Sequence, residues 1–111
     1  MQNLYRAFSQ IKTEKEFNAF LDDLCTPKEI KNMSERWKLA QLLYTTNLTQ
    51  PAIVEKVGAT RATITRVARV LYNLPVGGYR LILARLYPAR TKTLSENQMG
   101  KLTTLSRRHH P

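Results

Sequence analysis

Apolar residues recur at helical spacing through most of the chain, and no strand-like alternation of apolar and polar residues persists. Phe17, Phe20, Leu21 and Leu24 stand at positions i, i+3, i+4 and i+7, which places their side chains on one face of an α-helix. Glycine, which weakens a helix interior, occurs only 4 times in 111 residues. The pattern therefore predicts an all-α fold.

Start and stop signals divide this pattern into separate helices. Thr13 and Thr26 are each followed three residues later by glutamate, Glu16 and Glu29, as in a capping box at a helix start. Pro27 strengthens the second signal, because proline is favoured at the first helical position. The predicted helices cover residues 4–11, 14–24, 27–44, 50–57, 61–72 and 79–86.

The predicted helix 27–44 carries apolar side chains on two of its sides. These are Ile30, Met33, Trp37, Ala40 and Tyr44 on one side and Leu39, Leu42 and Leu43 on another. Such wide apolar coverage near the end of a helix indicates burial from more than one direction, as in a helix that packs both into its own subunit and against a partner. We therefore expect a homodimer.

Positive charge is concentrated in the second half of the chain. The formal net charge is +10, and residues 58–111 hold ten Lys or Arg but one acid, Glu96. Residues 1–57 are almost balanced, with eight basic and seven acidic side chains. This distribution favours a polyanionic partner such as nucleic acid. Because residues 89–111 are mostly polar and basic, we expect a flexible tail after a domain formed by residues 1–88.

Several classes of protein are disfavoured by the same residues. The apolar runs are too short to span a membrane, and the N-terminus interleaves polar residues where a secretory signal needs an unbroken apolar stretch. We expect a cytoplasmic protein. Cys25 is the single cysteine, and the two histidines, His109 and His110, lie in the tail without a nearby catalytic partner. The sequence thus predicts neither an enzyme nor a metal site.

The helices predicted at 50–57 and 61–72 are joined by the short turn Gly58-Ala59-Thr60. Two helices connected in this way are typical of the helix-turn-helix, whose second helix enters the major groove of DNA. The apolar residues of the pair are spaced to hold the two helices together. They are Ile53, Val57, Ile64 and Val67.

The other side of the helix predicted at 61–72 carries side chains that suit a DNA groove, and the helix contains no acid. Arginine can donate two hydrogen bonds to guanine or bind phosphate, threonine can bond a base edge or a phosphate oxygen, and alanine can contact a thymine methyl. The free N–H groups of the helix start favour an anion. The predicted DNA-contacting residues are Gln50, Thr60, Arg61, Ala62, Thr63, Thr65, Arg66 and Arg69.

These motifs also resemble a known family. Residues 58–66 (GATRATITR) are similar to the recognition segment of the Trp repressor superfamily, and residues 24–29 (LCTPKE) resemble the start of its long central helix. Residues 73–79 are similar to its tryptophan-repressor-related branch, the YerC/YecD family. The resemblance covers roughly residues 4–86. It implies a Trp repressor-like helical bundle and an intertwined homodimer, whose two recognition helices meet successive major grooves about 34 Å apart.

The resemblance also implies where a corepressor would bind. Thr26, Arg36 and Arg66 match positions that hold tryptophan in the repressor. Val67 stands where the repressor has a small residue that leaves room for the indole, and Val70 stands where a small polar residue helps to bind the ligand amine. We therefore expect no tryptophan corepressor and no other cofactor. The alternative role for the two arginines is phosphate binding or pairing with a nearby carboxylate.

Taken together, these features predict a sequence-specific DNA-binding transcriptional regulator, expected to repress, that binds double-stranded DNA with the helix at 61–72. The first helix of the motif departs from the repressor, because it offers Gln50, Pro51 and Val54 where the repressor has polar and basic contacts. The alternative is a non-specific electrostatic nucleic-acid-binding or protein-interaction module. Binding that falls steeply with salt and shows no preferred site would indicate that alternative.

Overall fold

The computed structural model describes residues 2–89, and every statement about structure below concerns that part of the chain. These residues form helices and contain no strand, which confirms the predicted all-α fold. The helices are α1 (Gln2–Ser9), α2 (Glu14–Leu24), α3 (Pro27–Thr45), α4 (Gln50–Val57), α5 (Arg61–Tyr72) and α6 (Gly78–Leu86).

The chain divides into two compact units, Met1–Ser34 and Glu35–Pro111, which we call the N-terminal and C-terminal units. The N-terminal unit contains α1, α2 and the first turns of α3, and the C-terminal unit contains the rest of α3 and the helices that follow it. The predicted tail lies outside the described residues from residue 90 onward. A single domain over residues 1–88 stays a prediction.

The N-terminal unit begins with a helix that is shifted from its predicted position, since α1 ends at Ser9 instead of Ile11. The reason is a change in hydrogen bonding, because the N–H groups of Gln10 and Ile11 donate to carbonyls only three residues back, at 3.1 Å each. Such bonds tighten the chain beyond α-helical geometry. The Ser9 hydroxyl also donates to the Arg6 carbonyl, at 2.6 Å.

Capping at α2 follows the prediction with one difference. Thr13 Oγ1 accepts a hydrogen bond from the Glu16 N–H at 3.1 Å, as expected for an N-cap. The Glu16 carboxylate, however, accepts from the N–H of Lys12 at 2.9 Å and not from that of Thr13. Phe8 joins α1 to α2, because its ring lies 5.9 Å from that of Phe17 and 5.6 Å from that of Phe20.

A complete capping box starts α3, as the sequence predicts. Thr26 N–H donates to Glu29 Oε1 at 2.9 Å, and Glu29 N–H donates to Thr26 Oγ1 at 3.2 Å. Hydrogen bonds to the Glu29 carboxyl, first from the Thr26 backbone and then from the Thr26 side chain, lower the pKa of that carboxyl because they favour its ionised form. The helix ends at Thr45, one residue later than predicted.

The hydrophobic core lies in the C-terminal unit and brings α3, α4, α5 and α6 together. Its buried residues are Leu39, Ala40, Leu43, Tyr44, Ile53, Ala59, Ile64, Val67, Ala68, Leu71 and Leu83. The chain itself thus buries Leu39, Ala40, Leu43 and Tyr44 in the last turns of α3, where the sequence suggested that a partner would contribute to the burial. The breadth of the apolar surface of α3 therefore does not by itself require a partner.

Polar and aromatic contacts fix the last helix and the end of α5 against α3. Gln41 Nε2 donates to the Tyr87 hydroxyl at 3.1 Å, and the rings of Trp37 and Tyr79 lie 6.2 Å apart. The Tyr72 hydroxyl donates to the Leu43 carbonyl at 3.3 Å. The end of α5 and both ends of α6 are therefore held against α3.

The capping box of α3 gives a test of the fold. Replacing Thr26 by alanine removes one acceptor for an otherwise unpaired N–H group, and we expect the free energy of unfolding to fall by about 1 kcal/mol. Urea denaturation followed by circular dichroism measures this change. Thr26→Ser is the matched control, because serine caps a helix at least as well as threonine. Equal losses in both variants would contradict a capping role.

Candidate nucleic-acid interface

The first helix of the helix-turn-helix, α4, is bounded as the sequence predicts. Thr49 Oγ1 accepts from the Ala52 N–H at 3.3 Å, and Pro51 occupies the first turn, where a missing N–H costs nothing. Gly58 ends the helix in the left-handed conformation, with φ of 79°, and its N–H donates to the Val54 carbonyl at 2.7 Å. Only glycine adopts this φ without strain, which allows the chain to turn sharply.

The second helix, α5, starts two residues after its buried neighbour Ala59. Thr60 has extended backbone, and its Oγ1 accepts from the Thr63 N–H at 3.2 Å. The first intrahelical hydrogen bond joins Ile64 N–H to the Thr60 carbonyl, also at 3.2 Å. Helical geometry leaves the N–H groups of Arg61 and Ala62 without an intrahelical acceptor, so they remain available at the helix start.

Packing fixes the orientation of α5. Its inner face is Ile64, Val67, Ala68 and Leu71, each no more than 6% exposed. On α4, Ile53 is fully buried, and Val57 is half-buried against the same core. The apolar set predicted to join the two helices therefore does so. Because this face is buried, the opposite side of α5 must face solvent.

The solvent-facing side of α5 carries the predicted DNA-contacting residues, and we call it the outward face. It consists of Arg61, Ala62, Thr65, Arg66 and Arg69, all of which are exposed. Three of its five side chains are cationic, and α5 has no acid in its first turn. The remaining predicted contacts differ in accessibility, because Gln50 and Thr60 are exposed whereas Thr63 is half-buried.

The C-terminal unit, which carries the outward face, has a net positive charge in its described residues. Residues 35–89 contain eight Lys or Arg and only two acids, Glu35 and Glu55. A strongly basic surface around a helix start attracts the phosphate backbone of nucleic acid. The composition of this unit thus favours an anionic partner.

The residues that the resemblance assigns to a corepressor site are divided between the two units. The Thr26 hydroxyl caps α3 in the N-terminal unit, whereas Arg36 and Arg66 belong to the C-terminal unit. Arg36 is half-buried and Arg66 is exposed. Of the two valines expected to fill a ligand space, Val67 is 1% exposed and belongs to the core, but Val70 is 49% exposed.

Two features of the region were not anticipated from the sequence. The hydroxyls of Thr60 and Thr63 lie 2.8 Å apart, a hydrogen-bonding distance. One guanidinium nitrogen of Arg80, Nη1, is buried without a hydrogen-bond partner in the described structure. The threonine pair could have been found from its i, i+3 spacing at a helix start, whereas burial of Arg80 depends on tertiary packing.

Features of other protein classes are not seen in the part of the chain that the structure describes. Between residues 2 and 89, no helix is both long enough and apolar enough to cross a membrane. The same residues contain no group of three His, Cys, Asp or Glu side chains placed to bind a metal ion. Cys25 is half-buried and reduced.

Comparison with known proteins adds a family assignment. A family model described as Trp repressor protein matches residues 1–87. A curated protein of Bacillus subtilis (strain 168), named Uncharacterized protein YerC, is 33% identical over 96 residues, which cover 86% of this chain and 90% of that protein. No solved structure gives a significant match.

Adjacent residues of α5 test its orientation. Ile64→Ala removes a fully buried side chain from the core, and we expect it to lower the free energy of unfolding by about 2–5 kcal/mol. Thr65→Ala changes an exposed side chain, so its effect should stay within about 0.5 kcal/mol. Chemical denaturation of both variants measures the difference. If the two losses were similar, the assignment of inner and outward faces would be wrong.

Proposed function

This chain belongs to the Trp repressor family, and on that premise we propose that it is a sequence-specific transcriptional repressor that reads the major groove with α5. The family consists of regulatory DNA-binding proteins and not of enzymes. The observation that carries the proposal is the exposed, acid-free outward face of α5, held in place by a buried inner face.

The proposed contacts follow from the chemistry of the outward face. Arg61 and Arg69 can each donate two parallel hydrogen bonds to the O6 and N7 atoms of guanine, or bind phosphate. Ala62 can contact a thymine methyl, and the Thr65 hydroxyl can bond a base edge. At the helix start, the free N–H groups of Arg61 and Ala62 and the nearby Thr60 suit a phosphate oxygen.

We also propose that the active form is a homodimer, because each unit leaves large apolar side chains exposed. In the N-terminal unit, Leu4, Phe17 and Leu24 are 42–47% exposed, and none of its described residues is buried. In the C-terminal unit, α6 exposes Leu81, Ile82 and Leu86 by 42–55%. Extensive exposed apolar surface of this kind usually marks an interface. A second copy would cover it and place two α5 helices one helical turn of DNA apart.

DNA binding without tryptophan is part of the proposal. The inner face of α5 is already filled by the chain's own side chains, among them Val67, so no ligand is needed to support the helix. The protein would therefore bind its operator in the absence of any added corepressor. We also propose that it acts in the cytoplasm, where a DNA-binding protein of this family would meet its DNA.

The second candidate function is non-specific binding of nucleic acid by charge. Residues 35–89 contain eight basic and two acidic residues, and this positive charge favours the second candidate because phosphate contacts alone give affinity without sequence preference. Selection from random duplex DNA at near-physiological salt separates the two candidates. Enrichment of a palindrome with half-sites about one helical turn apart supports the dimeric repressor. Recovery of unenriched DNA supports the electrostatic binder.

Arg61 tests direct reading of the selected site. We expect Arg61→Ala to weaken binding by about 1–3 kcal/mol and to relax preference at one base pair. Arg61→Lys is the matched control, because lysine keeps the charge but lacks the planar pair of N–H donors with which arginine binds guanine. It should therefore keep affinity for random DNA and lose the base preference. A uniform loss in Arg61→Ala, with every preference retained, would assign Arg61 to phosphate.

The exposed face of α6 tests the homodimer. Leu81→Glu introduces a charge at a position where the leucine side chain is 51% exposed, so the single chain should stay folded. We expect the charge to disrupt the interface, because burying it unpaired is costly. Sedimentation equilibrium should show a dimer for the wild type and a monomer for the variant. Leu48→Glu, at an apolar residue 42% exposed in the loop before α4, should remain a dimer. A monomeric wild type would end the dimer proposal.

A further inference from the structure

Thr60 and Thr63 form a hydrogen-bonded pair at the start of α5. Thr60 Oγ1 accepts from the Thr63 N–H at 3.2 Å, and the two hydroxyl oxygens lie 2.8 Å apart. Thr60 is exposed, whereas Thr63 is half-buried. The Thr63 hydroxyl therefore contacts the N-cap residue Thr60, and the Thr63 side chain is only partly accessible to solvent.

Counting protons decides what the pair can offer to a ligand. Each threonine hydroxyl has one proton to donate and two lone pairs that accept. One of the two protons is used in the bond between the hydroxyls, so one proton remains. If Thr63 donates, both lone pairs of Thr60 Oγ1 are occupied, by the N–H and the O–H of Thr63. The proton of the exposed Thr60 hydroxyl is then free to point outward.

We propose that Thr63 is a positioning residue that acts through Thr60 and does not read a base. The proposal rests on the DNA-binding function proposed above. Thr63 donates its hydroxyl proton to Thr60 Oγ1, and Thr60 donates its own proton to a phosphate oxygen of DNA. A donated hydrogen bond polarises the hydroxyl that accepts it, which strengthens the next donation in the chain. The hydrogen bond from Thr63 also keeps the Thr60 proton from turning inward.

Two other threonines of the C-terminal unit, Thr45 and Thr46, show a different use of the hydroxyl proton. The hydroxyls of Thr45 and Thr46 donate to the carbonyls of Gln41 and Leu42, four residues back, at 2.7 and 2.6 Å. Their protons are therefore used within the helix. Thr65 is exposed on the outward face and is left as the threonine of α5 that can read a base edge. The sequence alone gave Thr63 and Thr65 the same role.

A double-mutant cycle on DNA binding tests the coupling. Thr60→Gly removes the hydroxyl and costs little stability, because glycine is an acceptable N-cap. Thr63→Val removes the second hydroxyl and keeps the shape of the side chain. With the palindrome selected by the wild type as probe, we expect Thr63→Val to weaken binding about threefold and Thr60→Gly on the order of tenfold. The double variant should bind like Thr60→Gly alone, since Thr63 then has nothing to position.

Two further readouts separate this role from base reading and from an ionic contact with phosphate. Base preferences measured by selection should be unchanged in Thr63→Val but altered in Thr65→Val. The salt dependence of affinity should keep its slope in both single variants, because no cation is lost. Thermal unfolding of each variant checks that α5 remains folded.

Each outcome decides whether Thr63 acts through Thr60 or contacts DNA by itself. A changed base preference in Thr63→Val, losses that multiply in the double variant, or full affinity in Thr63→Val would overturn the proposal. Failure of the repressor function itself is distinguished at the first step, because the wild type would then select no palindrome.

Discussion

Burial of the inner face of α5 is the constraint on which the rest of this protein depends. Ile64, Val67, Ala68 and Leu71 are enclosed by side chains of α3, α4 and α6, so the helix cannot rotate without exposing them. The Tyr72 hydroxyl fixes the end of the helix to α3 by its bond to the Leu43 carbonyl. The direction in which Arg61 points is therefore a result of core packing, and not of any contact made by Arg61 itself.

Local signals in the sequence predicted the helix boundaries that depend on capping residues. The bounds of α4 and α5 agree with the prediction to the residue, because Thr49, Gly58 and Thr60 end or start helices through bonds to neighbours three or four residues away. The end of α1 was predicted two residues too late. Its last turn tightens through hydrogen bonds between residues three apart, and apolar spacing contains no information about that change.

Tertiary contacts explain what the sequence could not predict. The wide apolar surface of α3 suggested a partner, but the core of a single chain buries Leu39, Ala40, Leu43 and Tyr44. Spacing alone could not show which elements would cover that surface. Within the candidate site, the sequence analysis gave Thr63 and Thr65 the same role, although the i, i+3 spacing of Thr60 and Thr63 could have indicated the local hydroxyl contact that distinguishes them. The two units also differ in charge, with five basic and five acidic residues in 1–34 but thirteen and three in 35–111.

The separation of the two faces of α5 has a consequence for how such a protein evolves. No residue of the outward face is buried in the core, so Arg61, Ala62, Thr65 and Arg69 can be exchanged without the loss of stability that accompanies changes at Ile64 or Val67. Substitutions at these few positions can therefore change what the outward face binds in single mutational steps, with each intermediate still a folded protein.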